Sequence, residues 1–242
     1  MSLHYWTMKG KKPLYEQLEL IVFDLAGTTL QIGDLIPKAF QGIFQEHGIR
    51  LTDSEVLGIR GLSKTKAIEM LLVKHLGPSS SKMTDTLHQG FLKLLEAMFA
   101  KEEVRVIPGS EETFQWLKEK KILFALNTGF ERNFTLMLLE RIGWSQIADT
   151  VVCGDEVPEG RPAPDLIFES MKRLNCQDSS RVAAVGDTQA DMKAAEKAQV
   201  GFAIGVLSGA HSLKQLEACP NHRVIPSVKD LPKILSLPKE KI

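Results

Sequence analysis

The second half of the chain alternates short apolar runs with amphipathic segments, and this alternation constrains the fold more than any other feature. Strands that alternate with helices predict βαβ units and a parallel sheet. The earlier run "ELIVFDL" is apolar throughout, as expected of a strand covered on both faces. The sequence therefore predicts a doubly wound α/β fold. The runs that carry the alternation are "ILFALNT", "TVVCG", "RVAAVGD" and "VGFAIGV".

A series of helical patterns interrupts this alternation after the first strand. Between residues 33 and 103, segments such as "KTKAIEMLLVKHLG" have helical periodicity, and no strand pattern separates them. The segment "SSKMTDTLHQGFLKLLEAMFAKEE" predicts one long amphipathic helix. We predict a core domain of residues 1–32 and 104–242 with about five or six strands. Residues 33–103 are predicted to form an all-helical insert.

Charge and cysteine content exclude several classes of function. Lys plus Arg and Asp plus Glu both number 30, so the chain lacks the basic surplus typical of nucleic-acid binding. Cys153, Cys176 and Cys219 show no C-x-x-C spacing, which predicts reduced thiols rather than disulfides or a zinc site. No segment approaches the ~20 apolar residues of a membrane helix, and no signal-peptide pattern is present. We expect a soluble, cytoplasmic protein with no nucleic-acid or membrane partner.

Polar residues occur where the predicted strands end. Asp24, Asn127 and Asp187 each close an apolar run. Ligands of parallel α/β sheets bind beyond the carboxyl ends of the strands, so a site is expected there. Asp24 and Asp187 should end neighbouring strands, and crowded carboxylates of this kind favour a cation such as Mg²⁺. Asp191 follows one helical turn later, and it has a second interpretation as a helix-capping residue together with Thr188.

Two threonines and an arginine are candidates for binding phosphate. Thr28 and Thr128 lie in turns beside glycines, where hydroxyl groups and amides such as that of Gly129 hold phosphate oxygens. Taken singly, such threonines are more often turn or cap residues. Arg161 lies in the proline-rich loop "EGRPAPD", where a cation near the aspartates can bind phosphate. Alone, that loop is also typical of an exposed arginine.

These motifs together resemble a known superfamily. In order and spacing, they are similar to the four motifs of the haloacid dehalogenase (HAD) superfamily. An A-G-T first motif and an arginine in the third resemble the phosphonoacetaldehyde hydrolase (phosphonatase)-like hydrolases, and the likeness covers about residues 19–236. It implies a HAD α/β core with a helical cap formed by the insert. The four motifs are "FDLAGTT", "LNTGF", "GRPAPD" and "VGDTQAD".

The resemblance also implies a role for each motif residue. Asp24 would be the nucleophile that forms an aspartyl-phosphate. A small phosphonate or phosphate would be the substrate, and a homodimer formed through the cap is one arrangement that the likeness allows. The implied Mg²⁺ ligands are Asp24, the Ala26 carbonyl and Asp187; the phosphoryl group would be held by Thr128 and Arg161, with Asp191 orienting these groups.

Ala26 stands where most HAD phosphatases have a second aspartate, which protonates the leaving alcohol. A phosphonate has a P–C bond, so the departing carbon needs an electron sink instead, and a lysine imine with a neighbouring carbonyl supplies one. In phosphonatase a cap loop of the form M-G-x-x-K carries that lysine, and "RGLSK" matches it at Gly61 and Lys64. Most single lysines are solvated surface charges, which is the competing interpretation of Lys64.

The chain departs from the phosphonatase pattern at three positions. Arg60 replaces a methionine, Ala67 a histidine and Phe130 a tyrosine, and Arg60 indicates a substrate with an additional anionic group. The leading hypothesis is a Mg²⁺-dependent hydrolase that cleaves the C–P bond of a small carbonyl phosphonate through a Lys64 Schiff base. The alternative is a phosphomonoesterase for a small phosphorylated metabolite. A non-catalytic binding protein ranks last, because Asp24 and Asp187 are present.

Overall fold

The computed structural model describes residues 12–221 and 223–238. The outer ends of the predicted core domain, residues 1–11 and 239–242, lie outside the described residues. The strands are β1 (Leu20–Asp24), β2 (Leu30–Gln31), β3 (Arg105–Val106), β4 (Leu123–Asn127), β5 (Thr150–Val152), β6 (Val182–Gly186), β7 (Phe202–Val206) and β8 (Arg223–Ile225). The helices are α1 (Leu35–Glu46), α2 (Asp53–Gly58), α3 (Lys64–Leu76), α4 (Thr84–Phe99), α5 (Ser110–Lys120), α6 (Arg132–Arg141), α7 (Asp165–Arg173), α8 (Gln189–Lys197), α9 (Leu213–Glu217) and α10 (Leu231–Leu235).

The described core contains a six-stranded sheet in the order β5-β4-β1-β6-β7-β8, and every neighbouring pair in it is parallel. The chain builds outward from β1 to β5, then returns to place β6 on the other side of β1. This reversal leaves a crevice beyond the carboxyl ends of β1 and β6, which is where ligands bind in such sheets. The predicted parallel α/β fold is confirmed.

Strand β1 is buried on both faces because its alternate side chains enter two different apolar clusters. Ile21 and Phe23 belong to one cluster, and Leu20 and Val22 belong to the other. On the first face the ring of Phe23 packs edge-on against Phe114 of α5 at 5.4 Å between centroids. Helices α7 and α8 contribute apolar side chains to the second face. Coverage of both faces explains why this strand is a continuous apolar run.

Helices α1 to α4 fill the predicted insert, and a short antiparallel ladder joins the two places where the chain enters and leaves it. In that ladder Leu30 of β2 pairs with Val106 of β3. The ladder was not predicted, because strands of two residues carry no periodicity. The domain boundaries at residues 33 and 103 stay a prediction.

The predicted single long helix after α3 is wrong at its start. Residues Pro78–Met83 form a separate 3₁₀ helix, and α4 begins only at Thr84. The hydroxyl of Ser80 donates to the Gly77 carbonyl at 2.6 Å, and Ser81 donates to the Pro78 carbonyl. Such local side-chain bonds compete with the regular helical pattern.

The insert packs on the core through a shared apolar cluster. The ring of Phe99 in α4 lies 4.9 Å from that of Phe134 in α6, and His88 of α4 lies 3.5 Å from Glu131 of the core. Cys153, Cys176 and Cys219 are buried, and none of them forms a disulfide within the described residues. Among the described residues, no helix has both the length and the apolarity required to span a bilayer.

Candidate active site

The predicted site residues from three strands lie together at the carboxyl edge of the sheet. Asp24 ends β1, Thr128 follows β4, and Asp187 follows β6; all three side chains are buried. They line a cavity of about 250 Å³ between the core and the insert. The sequence brings them together because parallel strands end at the same edge of the sheet.

A buried arginine joins the predicted nucleophile to a second acid. Arg161 Nη1 lies 2.6 Å from Asp24 Oδ1, and the same nitrogen forms an ion pair with Asp191. Asp191 accepts in turn from the Thr188 backbone at 3.0 Å and from the Thr188 hydroxyl. Burial alone would lower the pKa of Arg161, but the carboxylates of Asp191 and Asp24 outweigh burial and raise it. Asp191 therefore takes part in the helix cap with Thr188 and also pairs with Arg161 in the site.

Asp187 is held by groups from two loops. Its Oδ2 accepts from the Ala210 backbone N–H at 2.6 Å, and Oδ1 accepts a long bond of 3.4 Å from the Thr28 hydroxyl. Burial, and then the charges of Asp24 and Asp191, raise the pKa of Asp187 well above its usual range. Burial likewise raises the pKa of Asp24 to about 6, although Arg161 opposes it.

Crowded carboxylates with raised pKa values are the environment that a divalent cation relieves. Asp24, Ala26 and Asp187 all line the cavity, so two carboxylates and one backbone carbonyl are available to a hard cation. Within the described residues, no three His, Cys, Asp or Glu side chains converge as a metal cluster. The donor set here contains only two such side chains, because Asp191 turns toward Arg161. The residues therefore fit Mg²⁺, which keeps several waters and few protein ligands.

The candidate phosphate-binding groups differ in their access to the cavity. Thr128, Gly129 and Arg161 line it, and the Nε–H of Arg161 is buried without a partner among the described residues. An unpaired buried donor of this kind is unusual, because buried polar groups are nearly always hydrogen-bonded. Thr28 is fully buried, but it is absent from the described cavity wall, and its hydroxyl contacts Asp187 instead.

The loop before α3 reaches from the insert into the core. The Leu62 carbonyl approaches Gly129, Ser63 lies against Gly160, and Gly61 lies against Thr188 so closely that a Cβ at position 61 would overlap the threonine. Small residues on both sides allow this approach. The contacts hold the first residue of α3, Lys64, over the site.

Lys64 is half-buried and lines the same cavity as the core motifs. Its Nζ lies 5.0 Å from the ring centroid of Phe130. Burial and the charge of Arg161 lower the pKa of Lys64 to about 8, while Asp24 and Asp191 act in the opposite direction. A fraction of the amine is therefore neutral near physiological pH.

The structure also shows where the three residues that depart from the phosphonatase pattern lie. Arg60 lines the cavity, and Phe130 lies beneath Lys64. Ala67 is fully buried in the insert, on α3.

The loop after β7 contributes contacts that the sequence analysis missed. The Ser208 hydroxyl donates to the Gly27 carbonyl at 2.8 Å, and Ala210 donates to Asp187. The ring Nδ1 of buried His211 accepts from the Gln189 backbone at 2.9 Å. Its position in the chain could have identified this loop, because "LSGAH" follows a strand end just as the other motifs do.

Comparison with known proteins agrees with this geometry. Residues 21–204 match the family described as haloacid dehalogenase-like hydrolase. The chain is 30% identical over 186 residues to a phosphonoacetaldehyde hydrolase of Hahella chejuensis, an alignment that covers 71% of this chain and 62% of that protein. It is 30% identical over 218 residues to a phosphonoacetaldehyde hydrolase of Parabacteroides distasonis, covering 84% of this chain and 81% of the relative.

A solved structure has the same fold. The crystal structure of a phosphonoacetaldehyde hydrolase-like protein from Oleispira antarctica superposes with a TM-score of 0.79 at 23% identity, covering 94% of this chain and 95% of that one. At this identity the likeness establishes the fold alone.

Proposed function

Since this chain belongs to the haloacid dehalogenase-like hydrolases, we propose that it is a Mg²⁺-dependent enzyme that cleaves the C–P bond of a small carbonyl phosphonate. One observation carries the proposal. A lysine with a pKa lowered to about 8 lines the same cavity as Asp24, while position 26, which carries the acid in most related phosphatases, is an alanine.

The proposed reaction proceeds in balanced steps. The neutral amine of Lys64 condenses with the substrate carbonyl, releases water and forms an imine. Asp24 attacks phosphorus, the C–P bond breaks, and its electron pair moves into the protonated imine to give an enamine. A proton adds to the freed carbon, and water then hydrolyses both the imine and the aspartyl-phosphate. No acid at position 26 is required, because no alkoxide leaves.

The other groups of the cavity have positioning roles in this scheme. Arg161 would offset the negative charge of the phosphoryl oxygens while its Nη1 orients Asp24. Thr128 and Gly129 would complete the oxyanion pocket. Asp24, the Ala26 carbonyl and Asp187 would hold Mg²⁺. When bound, the ion supplies positive charge that offsets the carboxylates and the phosphoryl oxygens.

A phosphate-release assay with purified protein and Mg²⁺ tests the proposal. The panel should contain carbonyl phosphonates, phosphonates without a carbonyl, and phosphate esters of similar size. We expect release from carbonyl phosphonates only. Release from esters with no phosphonate turnover would overturn the C–P assignment.

Asp34 supports the second candidate, a phosphomonoesterase for a small metabolite. This residue lines the cavity from the insert side, and its carboxylate makes no capping hydrogen bond at the start of α1. It could supply the proton that Ala26 cannot supply to a leaving alkoxide. If esters are the substrates, Asp34→Asn should lower kcat strongly. Under the C–P proposal the same change should leave turnover within a few-fold.

A further inference from the structure

Arg60 is a cation in the cavity wall that the proposed reaction does not use. Its side chain is half-buried, and it lines the cavity from the insert. No carboxylate among residues 12–221 and 223–238 comes within 4.0 Å to form an ion pair with it. Arg161, in contrast, is neutralised by two carboxylates. Arg60 therefore keeps its charge available for a ligand.

Apolar side chains share the cavity lining with Arg60 and offer it no charged partner. An anion in the cavity could therefore accept two parallel hydrogen bonds from the planar guanidinium. These apolar residues are Ile32, Ile36, Pro37, Phe40, Val56 and Ile59.

Arg60 lines the same cavity as Asp24 and Lys64. It lies four residues before Lys64 in the chain, and its charge helps to lower the pKa of that lysine. A ligand that fills the cavity would thus have Asp24 available to its phosphorus, Lys64 to its carbonyl carbon and Arg60 to a further anionic group.

We propose that Arg60 binds a carboxylate attached to the carbonyl carbon, so that the substrate is a phosphonate of a 2-oxo acid rather than a simple aldehyde. This inference rests on the proposed function, because it uses Lys64 to fix the carbonyl. A carboxylate at that carbon lies next to the imine and adds little volume, which suits a cavity of about 250 Å³. Its charge would be matched by the guanidinium.

Two matched substrate pairs test the proposal. Phosphonoacetaldehyde and 3-phosphonopyruvate differ only in hydrogen or carboxylate on the carbonyl carbon. Glycolaldehyde phosphate and 3-phosphohydroxypyruvate differ in the same way and have an ester in place of the P–C bond. For each pair the ratio of kcat/KM values, carboxylated over non-carboxylated, is measured in the wild type and in Arg60→Met, Arg60→Lys and Arg50→Met. Arg50 is an exposed arginine of the insert and serves as the matched control.

We expect the wild-type ratio to be above one. In Arg60→Met the ratio should fall roughly 10- to 100-fold, as expected for the loss of one charge-assisted hydrogen bond. In Arg60→Lys the ratio should recover in part. Arg50→Met should keep the wild-type ratio. A ratio that Arg60→Met leaves unchanged overturns the inference.

The two proposals fail in different ways. If no phosphonate is cleaved but the ester ratio depends on Arg60, the C–P chemistry is wrong and the carboxylate subsite stands. If neither pair is turned over, calorimetry on the Asp24→Asn protein with Mg²⁺ replaces kinetics. Equal affinity for both members of each pair would then overturn the subsite.

Discussion

The ammonium group of Lys64, on a helix of the insert, lies 5.0 Å from the ring centroid of Phe130, which belongs to the core. The two residues approach because the loop before α3 seats on glycines of the core. An aromatic face stabilises the charged amine, whereas burial and Arg161 favour the neutral form. The balance leaves an amine that can titrate near neutral pH, which is what imine formation requires.

Replacement of Lys64 by arginine should abolish C–P cleavage. Lys64→Arg keeps a positive charge but cannot form an imine, so phosphate release from a carbonyl phosphonate should fall by orders of magnitude. Lys66→Arg is the control, because Lys66 lies two residues away on the same helix and is exposed in an ion pair with Glu69. Borohydride added during turnover should trap a covalent adduct on Lys64, identified by peptide mass spectrometry. Retention of near-normal turnover in Lys64→Arg would rule out the imine.

The activity should depend on pH through the same lysine. The protonated amine cannot attack a carbonyl, so kcat/KM should rise with pH and level off above the pKa of about 8. The positive charge of Arg60 helps to lower this pKa, so Arg60→Met should move the midpoint to higher pH. Rate profiles of the wild type, Arg60→Met and Arg50→Met provide the comparison. A flat profile across this range would contradict a role for the neutral amine.

The parts of the site that the sequence predicted are those fixed by local pattern. An apolar run followed by an aspartate defined the ends of β1 and β6, and parallel pairing made Asp24 and Asp187 neighbours. The alternation of apolar runs with helical segments predicted the parallel sheet. These features depend on residues adjacent in the chain, so periodicity and strand ends suffice to find them.

The features of the site that could not be predicted from the sequence depend on long-range contacts and side-chain orientation. The Ala210 amide reaches Asp187 across 23 positions, and Gly61 meets Thr188 from a distant part of the chain. Thr28 was predicted to contact substrate, but its hydroxyl points to Asp187 through a rotamer that no sequence pattern encodes. Its role in substrate binding stays a prediction.

Mg²⁺ should stabilise the protein more at neutral than at acidic pH. The folded-state pKa values of Asp24 and Asp187 are raised, so their contribution to stability is present at low pH and is lost as pH rises; for Asp24 the loss occurs as pH rises through about 6. Ionised carboxylates then bind the cation, which at 100 times its Kd adds about 2.7 kcal/mol to the free energy of unfolding. Thermal unfolding with and without Mg²⁺ at about pH 5 and 7.5 measures this difference.

Two variants test whether Mg²⁺ binds at Asp187. Asp187→Asn should remove most of the Mg²⁺-dependent rise in Tm, whereas Asp85→Asn, at an exposed position of α4, should keep it. Equal responses in these two proteins would place the ion away from Asp187.

Gly61 should be required for activity for a reason that goes beyond its backbone conformation. Its φ of +80° disfavours any L side chain, and a Cβ there would also overlap Thr188, which orients Asp191 and through it Arg161. Gly77, at the other end of α3, has a φ of +85°, but a Cβ added there would meet nothing within 4 Å. Both alanine variants should therefore lose about 1–3 kcal/mol of stability from positive-φ backbone strain. Only Gly61→Ala should also lose kcat/KM, because the loop can no longer seat and Lys64 no longer reaches the site. Tm and steady-state kinetics on the pair separate the two effects, and equal kinetic losses in both would mean that strain in α3, rather than contact with Thr188, limits the reaction.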